Sequence, residues 1–269
     1  MRPAALAFNA AASTFDARFE AWESVAAQRT AVRQALFEAF PPGGTILEIG
    51  GGTGEDAVWL AQRGFRLLST DAAPAMVDVT GCKLAPFGSR AEIVAAEDLE
   101  PFAHRHLASG GGRFDGAFSN FACLNCVEDL QAVGRGLATL LKPGSTAILV
   151  VFGNAAPGEI LVEVLRGRWQ QAFRRFRSGA VPAKIGGHDF TVRYHRARAI
   201  SSAMQPWFRL VRRLGIGIFV PPSAAEPWIS QQPGFLRLLC RLDRITRRPL
   251  AFLGDHILYQ FERTEIVAP

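Results

Sequence analysis

The sequence predicts an α/β fold: a doubly wound, mostly parallel sheet of seven strands, with helices on both faces and a helical cap insertion. Three observations carry this. Short apolar runs alternate with helical apolar periods through residues 41–152. The first run, Thr45–Ile49, enters a glycine-rich turn that opens a helix. The second run closes on a carboxylate, Asp71, 17 residues after Gly54.

Taken in order, Thr14–Phe40 carries Phe15, Phe19, Trp22, Val25, Ala26, Val32, Leu36 and Phe40 at helical spacing, and Pro41-Pro42-Gly43-Gly44 stops it. Thr45–Ile49 is the first strand and a helix follows from about Glu55 to Arg63, ended by Gly64. Phe65–Thr70, Glu92–Ala95 and Phe114–Ser119 read as the next strands. Val127–Leu141 is a helix, and Thr146–Phe152 is a strand after the turn Lys142-Pro143-Gly144. Beyond Phe152 the rhythm changes. Ala156–Arg177 reads as an Arg-rich helix, Gly179–His188 as a Gly/Pro loop, and Phe208–Val220 as a strand interrupted by Gly215 and Gly217. A basic amphipathic helix spans about Pro233–Arg248, and His256–Glu262 is the last strand.

The 269 residues are 49% apolar and 20% charged, which excludes an extended disordered chain. The longest central uncharged stretch, Pro143–Gly158, is 16 residues with two prolines and three glycines, too short and too broken to span a bilayer. The apolar run Ala4–Phe8 is too short for a secretory signal, so none is expected. Four cysteines form no dense disulfide framework, and a reducing cytoplasm is the expected compartment. Charge is divided unevenly. Residues 1–150 hold 12 Lys and Arg against 16 Asp and Glu, a net of −4; residues 151–269 hold 18 against 8, a net of +10. An anionic substrate, lipid headgroup or nucleic acid would meet that second half.

The turn itself is Glu48-Ile49-Gly50-Gly51-Gly52-Thr53-Gly54. Its Glu-x-Gly-x-Gly-x-Gly spacing differs from the Gly-x-Gly-x-x-Gly that seats a pyrophosphate on a helix N-terminus. Glu55 and Asp56 open the helix and would repel a phosphate, so the turn suits a ligand without one. A carboxylate at Asp71 can accept hydrogen bonds from both hydroxyls of a ribose. Together with Phe114–Asn120 and Leu141-Lys142-Pro143-Gly144, these features resemble the class I S-adenosylmethionine-dependent methyltransferases, whose Rossmann-like core the chain matches over about 40–152.

That resemblance implies S-adenosylmethionine as cofactor and S-adenosylhomocysteine as product. It implies that Glu48 helps hold the amino acid end, that Gly50, Gly51, Gly52 and Gly54 pass under the cofactor, and that Asp71, with Ala72 beside it, grips the ribose. Glu97 or Asp98 would receive the adenine amine, Asp98 being preferred. Asn120 and Phe121 lie where cofactor and substrate meet in this family; they can equally serve loop backbone and core. The expected organisation is a helical segment over 1–40, a cofactor-binding core over 41–155, a cap insertion over 156–205 shaping the acceptor pocket, and strands and a helix over 206–269 completing the sheet.

Two absences narrow the acceptor. The strand-4 region has no Asn/Asp-Pro-Pro-Tyr, and no Pro-Cys pair exists, which argues against adenine-amino and pyrimidine C5 chemistry. Cys123-x-x-Cys126 lacks the further ligands of a zinc site and reads as buried small thiols. His188, next to Asp189, and His195 are the candidate bases for a protonated acceptor. Basic amphipathic helices over 161–177 and 235–248 admit peripheral membrane contact; the commoner arrangement, apolar stripes on the sheet with Arg in water, is the one expected. The resulting expectation is methyl transfer to a small or lipid-like molecule by direct in-line displacement. An RNA- or ribosome-directed methyltransferase is the alternative, and the missing aromatic–basic interleaving argues against nucleic acid. A non-enzymatic cofactor-binding or membrane-peripheral protein is the third class. Oligomeric state is open.

Overall fold

The computed structural model describes residues 1–121, 123–177 and 179–266. Its strands are β1 Thr45–Ile49, β2 Arg66–Asp71, β3 Arg90–Ile93, β4 Phe114–Ser119, β5 Leu141–Phe152, β6 Ala180–Ile185, β7 His188–Arg193, β8 Phe208–Ile216 and β9 His256–Arg263. Its helices are α1 Pro3–Ala11, α2 Phe15–Phe19, α3 Glu23–Ala39, α4 Glu55–Ala61, α5 Pro74–Leu84, α6 Leu99–Ala108, α7 Leu130–Leu140, α8 Pro157–Leu165, α9 Trp169–Ala172, α10 Ala197–Met204 and α11 Pro233–Thr246.

Seven strands form one sheet in the order β3-β2-β1-β4-β5-β9-β8, and only β9 runs against its neighbours. The period-2 pattern explains why both faces are covered. On β5, Ala147, Leu149 and Val151 join the core under α6, α7 and α10, while Ile148 and Val150 join the core under α3 and α4. On β9, Ile257, Tyr259 and Phe261 face the first core and Leu258 the second. The order reverses between β1 and β4, and it is outside the carboxyl ends of strands at such a switch point that open α/β sheets bind ligands.

Four sequence expectations are corrected. The helix expected over Thr14–Phe40 is α2 and α3, broken at extended Trp22, and α1 precedes it. The break is tertiary in origin: Ser24 donates from its backbone N–H and its hydroxyl to Glu226, at 3.0 and 2.6 Å. The helix expected over Ala156–Arg177 divides at Gly167, whose φ is +71°. Gly179–His188 is no loop. It forms most of the hairpin β6–β7, turned by Gly186 and Gly187 at φ +56° and +81°, the two-glycine turn that matches strand twist. Finally, the apolar stripe of α11 does not pack on the sheet: Leu236 is buried, but Phe235, Leu238, Leu242 and Ile245 are exposed. α10, at the end of the 156–205 stretch, sends Ile200 and Met204 into the main core.

Candidate active site

The turn after β1 is held by close approach. A β-carbon on Gly50 would stand 2.2 Å from Cys123 Sγ, and one on Gly51 would stand 2.1 Å from Ser69 Oγ and 2.4 Å from Glu48 Oε2. Gly52 differs. Its φ is +57° and nothing lies within 4 Å of where a β-carbon would stand, so this residue presents bare backbone to open space.

Two carboxylates flank the turn. Glu48 is buried in β1 and accepts from Ser69 Oγ at 2.5 Å. Burial, helped by the negative charges of Asp56 and Asp71, pushes its carboxyl from the usual 4.5 up to about 8. Asp71 ends β2 and accepts from the backbone N–H groups of Gly52 and Ala73, both at 2.9 Å. Burial raises its carboxyl above the ordinary range against the pull of those bonds. Each oxygen retains room for a second donor. Ala72 sits between these contacts on the chain.

Asn120, just beyond β4, links that strand's end to α4: Nδ2 donates to Asp56 Oδ2 at 2.7 Å, and Oδ1 accepts from the Phe121 N–H at 2.9 Å. Asp56 also takes Arg33 Nε at 2.7 Å, so the acidic start of α4 is neutralised within the fold. Phe121 has φ +43°, uncommon for a bulky residue, and its ring stands 4.9 Å from that of His256. Cys123 and Cys126 are free thiols whose pKa values burial pushes up, that of Cys126 to about 12. Among the described residues no group of three or more His, Cys, Asp or Glu is placed to hold a metal.

The other expected residues are not all brought to this turn. Asp98 takes both terminal nitrogens of Arg2, at 3.1 and 3.0 Å, and Glu97 lies 3.5 Å from the same guanidinium. His188 is exposed at the start of β7, with Asp189 turned toward Lys184 at 3.8 Å. His195 Nε2 bonds the carbonyl of Leu124 at 3.0 Å, and burial lowers its pKa. The two candidate bases therefore stand in different settings, one in solvent and one holding backbone.

The sequence reading missed a cover. Asn9 Oδ1 accepts the Ala75 N–H at 2.9 Å, supplying a bond to the first turn of α5. Asp16 accepts from Thr53 Oγ1 at 2.5 Å and from Lys83 at 2.7 Å. With Arg2 on Asp98, the N-terminal segment is tied beyond β1, β2 and β3 in turn. The hairpin leans on it: Phe190 and Phe8 have ring centroids 5.6 Å apart. No local sequence signal marks Arg2, Asn9 or Asp16, because their partners lie far along the chain.

A family model described as a methyltransferase domain matches residues 21–205. The chain belongs to this methyltransferase family. The protein is accordingly a methyltransferase with S-adenosylmethionine as methyl donor, and the bare face of Gly52 beside the Asp71 carboxylate fits that phosphate-free group. Solved structures of similar fold include a putative S-adenosylmethionine-dependent methyltransferase from Listeria monocytogenes (TM-score 0.57, 17% identity, covering 90% of this chain and 100% of that one). The CcbJ methyltransferase from Streptomyces caelestis is also similar (0.54, 16%, 88% and 89%). So is a geranyl diphosphate C-methyltransferase from Streptomyces coelicolor, solved with geranyl diphosphate, Mg2+ and S-adenosyl-L-homocysteine (0.51, 12%, 88% and 79%). At these identities the likeness is one of fold. No curated protein matches the sequence.

Proposed function

We propose that this methyltransferase acts on a small or lipid-like acceptor that enters beside Gly52, beneath the N-terminal helices and the β6–β7 hairpin. One observation carries the reading: the carboxyl edge of the sheet is roofed by α1, α2 and the hairpin, tied down at Arg2, Asn9 and Asp16. A roofed crevice suits a small molecule better than a folded nucleic acid. In this reading Asp71 and Glu48 hold the ribose and amino acid ends of the methyl donor, Asp98 or Glu97 receives the adenine, and Asn120 and Phe121 line the junction with the acceptor. The 156–205 stretch contributes the acceptor wall.

The bound donor supplies an electrophilic methyl group. What the chain adds is alignment, which converts an encounter in solution into a near-unimolecular step and carries much of the rate. A base is required only if the acceptor holds its proton at neutral pH, and His195 is the better-placed histidine because His188 lies in solvent. Among the described residues no helix is long and apolar enough to cross a membrane, and we place the enzyme in the cytoplasm, where four free thiols persist.

The test is calorimetric titration with S-adenosylmethionine and S-adenosylhomocysteine, followed by radiolabelled methyl transfer into lipid, small-molecule and RNA fractions of a cell extract. Label entering lipid or small molecules supports the reading. Label entering RNA alone overturns it.

A further inference from the structure

The face formed by α8, α9 and α11 reverses the usual distribution of side chains. On α8 the inward residues are Glu159 and Glu163, buried and paired with Arg174 at 2.6 Å and Arg168 at 2.7 Å, and with buried Arg175. Their carbons and charges fill the inner side, so Leu161 and Leu165 face outward, the latter 77% exposed. Trp169, Phe173 and Phe176 continue outward in a chain of neighbouring rings, with centroids 6.5 and 6.3 Å apart.

On α11 the same thing happens by a different route. Leu236 enters a small core with Val220, Ala225 and Ile229, against which Val162 of α8 and Leu239 also rest, so the two helices share one support. Phe235, Leu238, Leu242 and Ile245 then form a stripe on the outer side, with Leu238 51% and Ile245 75% exposed. At the helical period, Arg237, Arg241 and Arg244 fall in an adjacent row, and Arg248 follows in the turn just past the helix, all four exposed. Among the described residues none of these four is paired with a carboxylate. The one acid on the helix, Asp243, is turned to accept the Phe219 N–H at 2.6 Å.

We infer that this face docks on the surface of an anionic lipid bilayer, with α11 lying in the interfacial plane. Two rows side by side, one aliphatic and one of guanidiniums, match the headgroup boundary: the first enters the acyl region while the second meets phosphates. Trp228, whose ring stands 6.3 Å from that of Phe235 at the start of α11, is 56% exposed and suits that depth. A nucleic acid would engage the arginines but leave Leu238, Leu242 and Ile245 in water. A second copy would bring the same unpaired arginines toward each other with no carboxylates to receive them. The inference concerns a surface apart from the methyl-donor turn and holds whether or not the acceptor is itself a lipid.

Vesicle co-sedimentation of the full chain tests it, with phosphatidylglycerol-containing vesicles, pure phosphatidylcholine vesicles and RNA compared at low salt. Expected are binding to the anionic vesicles alone, a blue shift of tryptophan emission, and weakening as salt is raised. Leu238→Glu with Ile245→Glu, and separately Arg237, Arg241, Arg244 and Arg248 all to Gln, replace exposed side chains only. Each is expected to keep the circular dichroism spectrum, and the four-Arg variant to bind on the order of 1000-fold more weakly. No binding at about 50 mM salt, binding unchanged in both variants, retention on RNA in place of vesicles, or a dimer abolished by Leu238→Glu would each overturn it.

Discussion

The backbone N–H of Gly52 donates to the Asp71 carboxylate at 2.9 Å, which ties the turn after β1 to the end of β2. That bond makes Asp71 part of the turn's own geometry as well as a candidate ribose partner. Asp71→Ala is expected to lose two charge-assisted bonds to a ribose, about 3 kcal/mol or roughly 150-fold in Kd for S-adenosylmethionine. Calorimetry on the folded variant checks this, and an unchanged Kd would remove Asp71 from the site.

Neighbouring glycines are expected to fail in different ways. Gly51→Ala drives a methyl into Ser69 Oγ and the Glu48 carboxyl, and overpacking of this kind costs about 1–3 kcal/mol. Gly52→Ala meets nothing among the described residues, so its stability should fall less, by the roughly 1 kcal/mol of a left-handed alanine, while cofactor affinity falls more. Thermal melts with and without S-adenosylmethionine separate the two; equal affinities would argue that Gly52 does not border the ligand.

Glu48 sets a pH dependence whose sign follows from its raised pKa. Between the ordinary 4.5 and about 8 the folded state holds a proton that the unfolded state has released. This site's contribution to stability is therefore full below that window and declines as pH rises through it. Glu48→Gln should flatten the decline, read as melting temperature from pH 5 to pH 9. A slope that survives the substitution would assign it to another group.

Arg175 is buried and donates to the carbonyls of Gly153 and Asp255, at 3.0 and 2.7 Å, and to the Asp255 carboxylate at 2.5 Å. Its charge, assisted by His256, holds the Asp255 carboxyl well below the usual range. Arg175→Met leaves Asp255 and Glu159 without it and should destabilise by about 3–5 kcal/mol. Chemical denaturation measures this, and a loss under about 1 kcal/mol would show that water replaces the guanidinium.

Arg2 is different because both it and Asp98 are substantially exposed. Arg2→Ala should leave global stability within about 1 kcal/mol. It should nonetheless speed amide exchange in α1 and α2, which the Arg2 contact helps to tie over the sheet. Exchange rates equal to the parent's would mean that Asn9 and Asp16 suffice.

Much of the fold was legible in local pattern. β1 and β4 match the predicted Thr45–Ile49 and Phe114–Ser119, and the strand-turn-helix around Gly52 follows from alternation and glycine spacing. Glu48 and Asp71 were singled out through the family resemblance of that motif, and both stand beside the turn, Glu48 within β1 and Asp71 bonded to the Gly52 N–H. The hairpin was hidden by Pro182 and its glycines, which read as loop although β6 pairs only with β7, where a proline costs little.

What the sequence determined by itself is the set of contacts between residues close along the chain: strand period, turn, helix, and the family to which they point. Tertiary structure decided the rest. Arg2 finds Asp98, Asn9 finds Ala75, and Ser24 finds Glu226 across separations that no local period encodes. The outward face of α11 was decided the same way. Its stripe promises burial, but burial needs an apolar partner, and the small core beneath the helix receives only the side that carries Leu236.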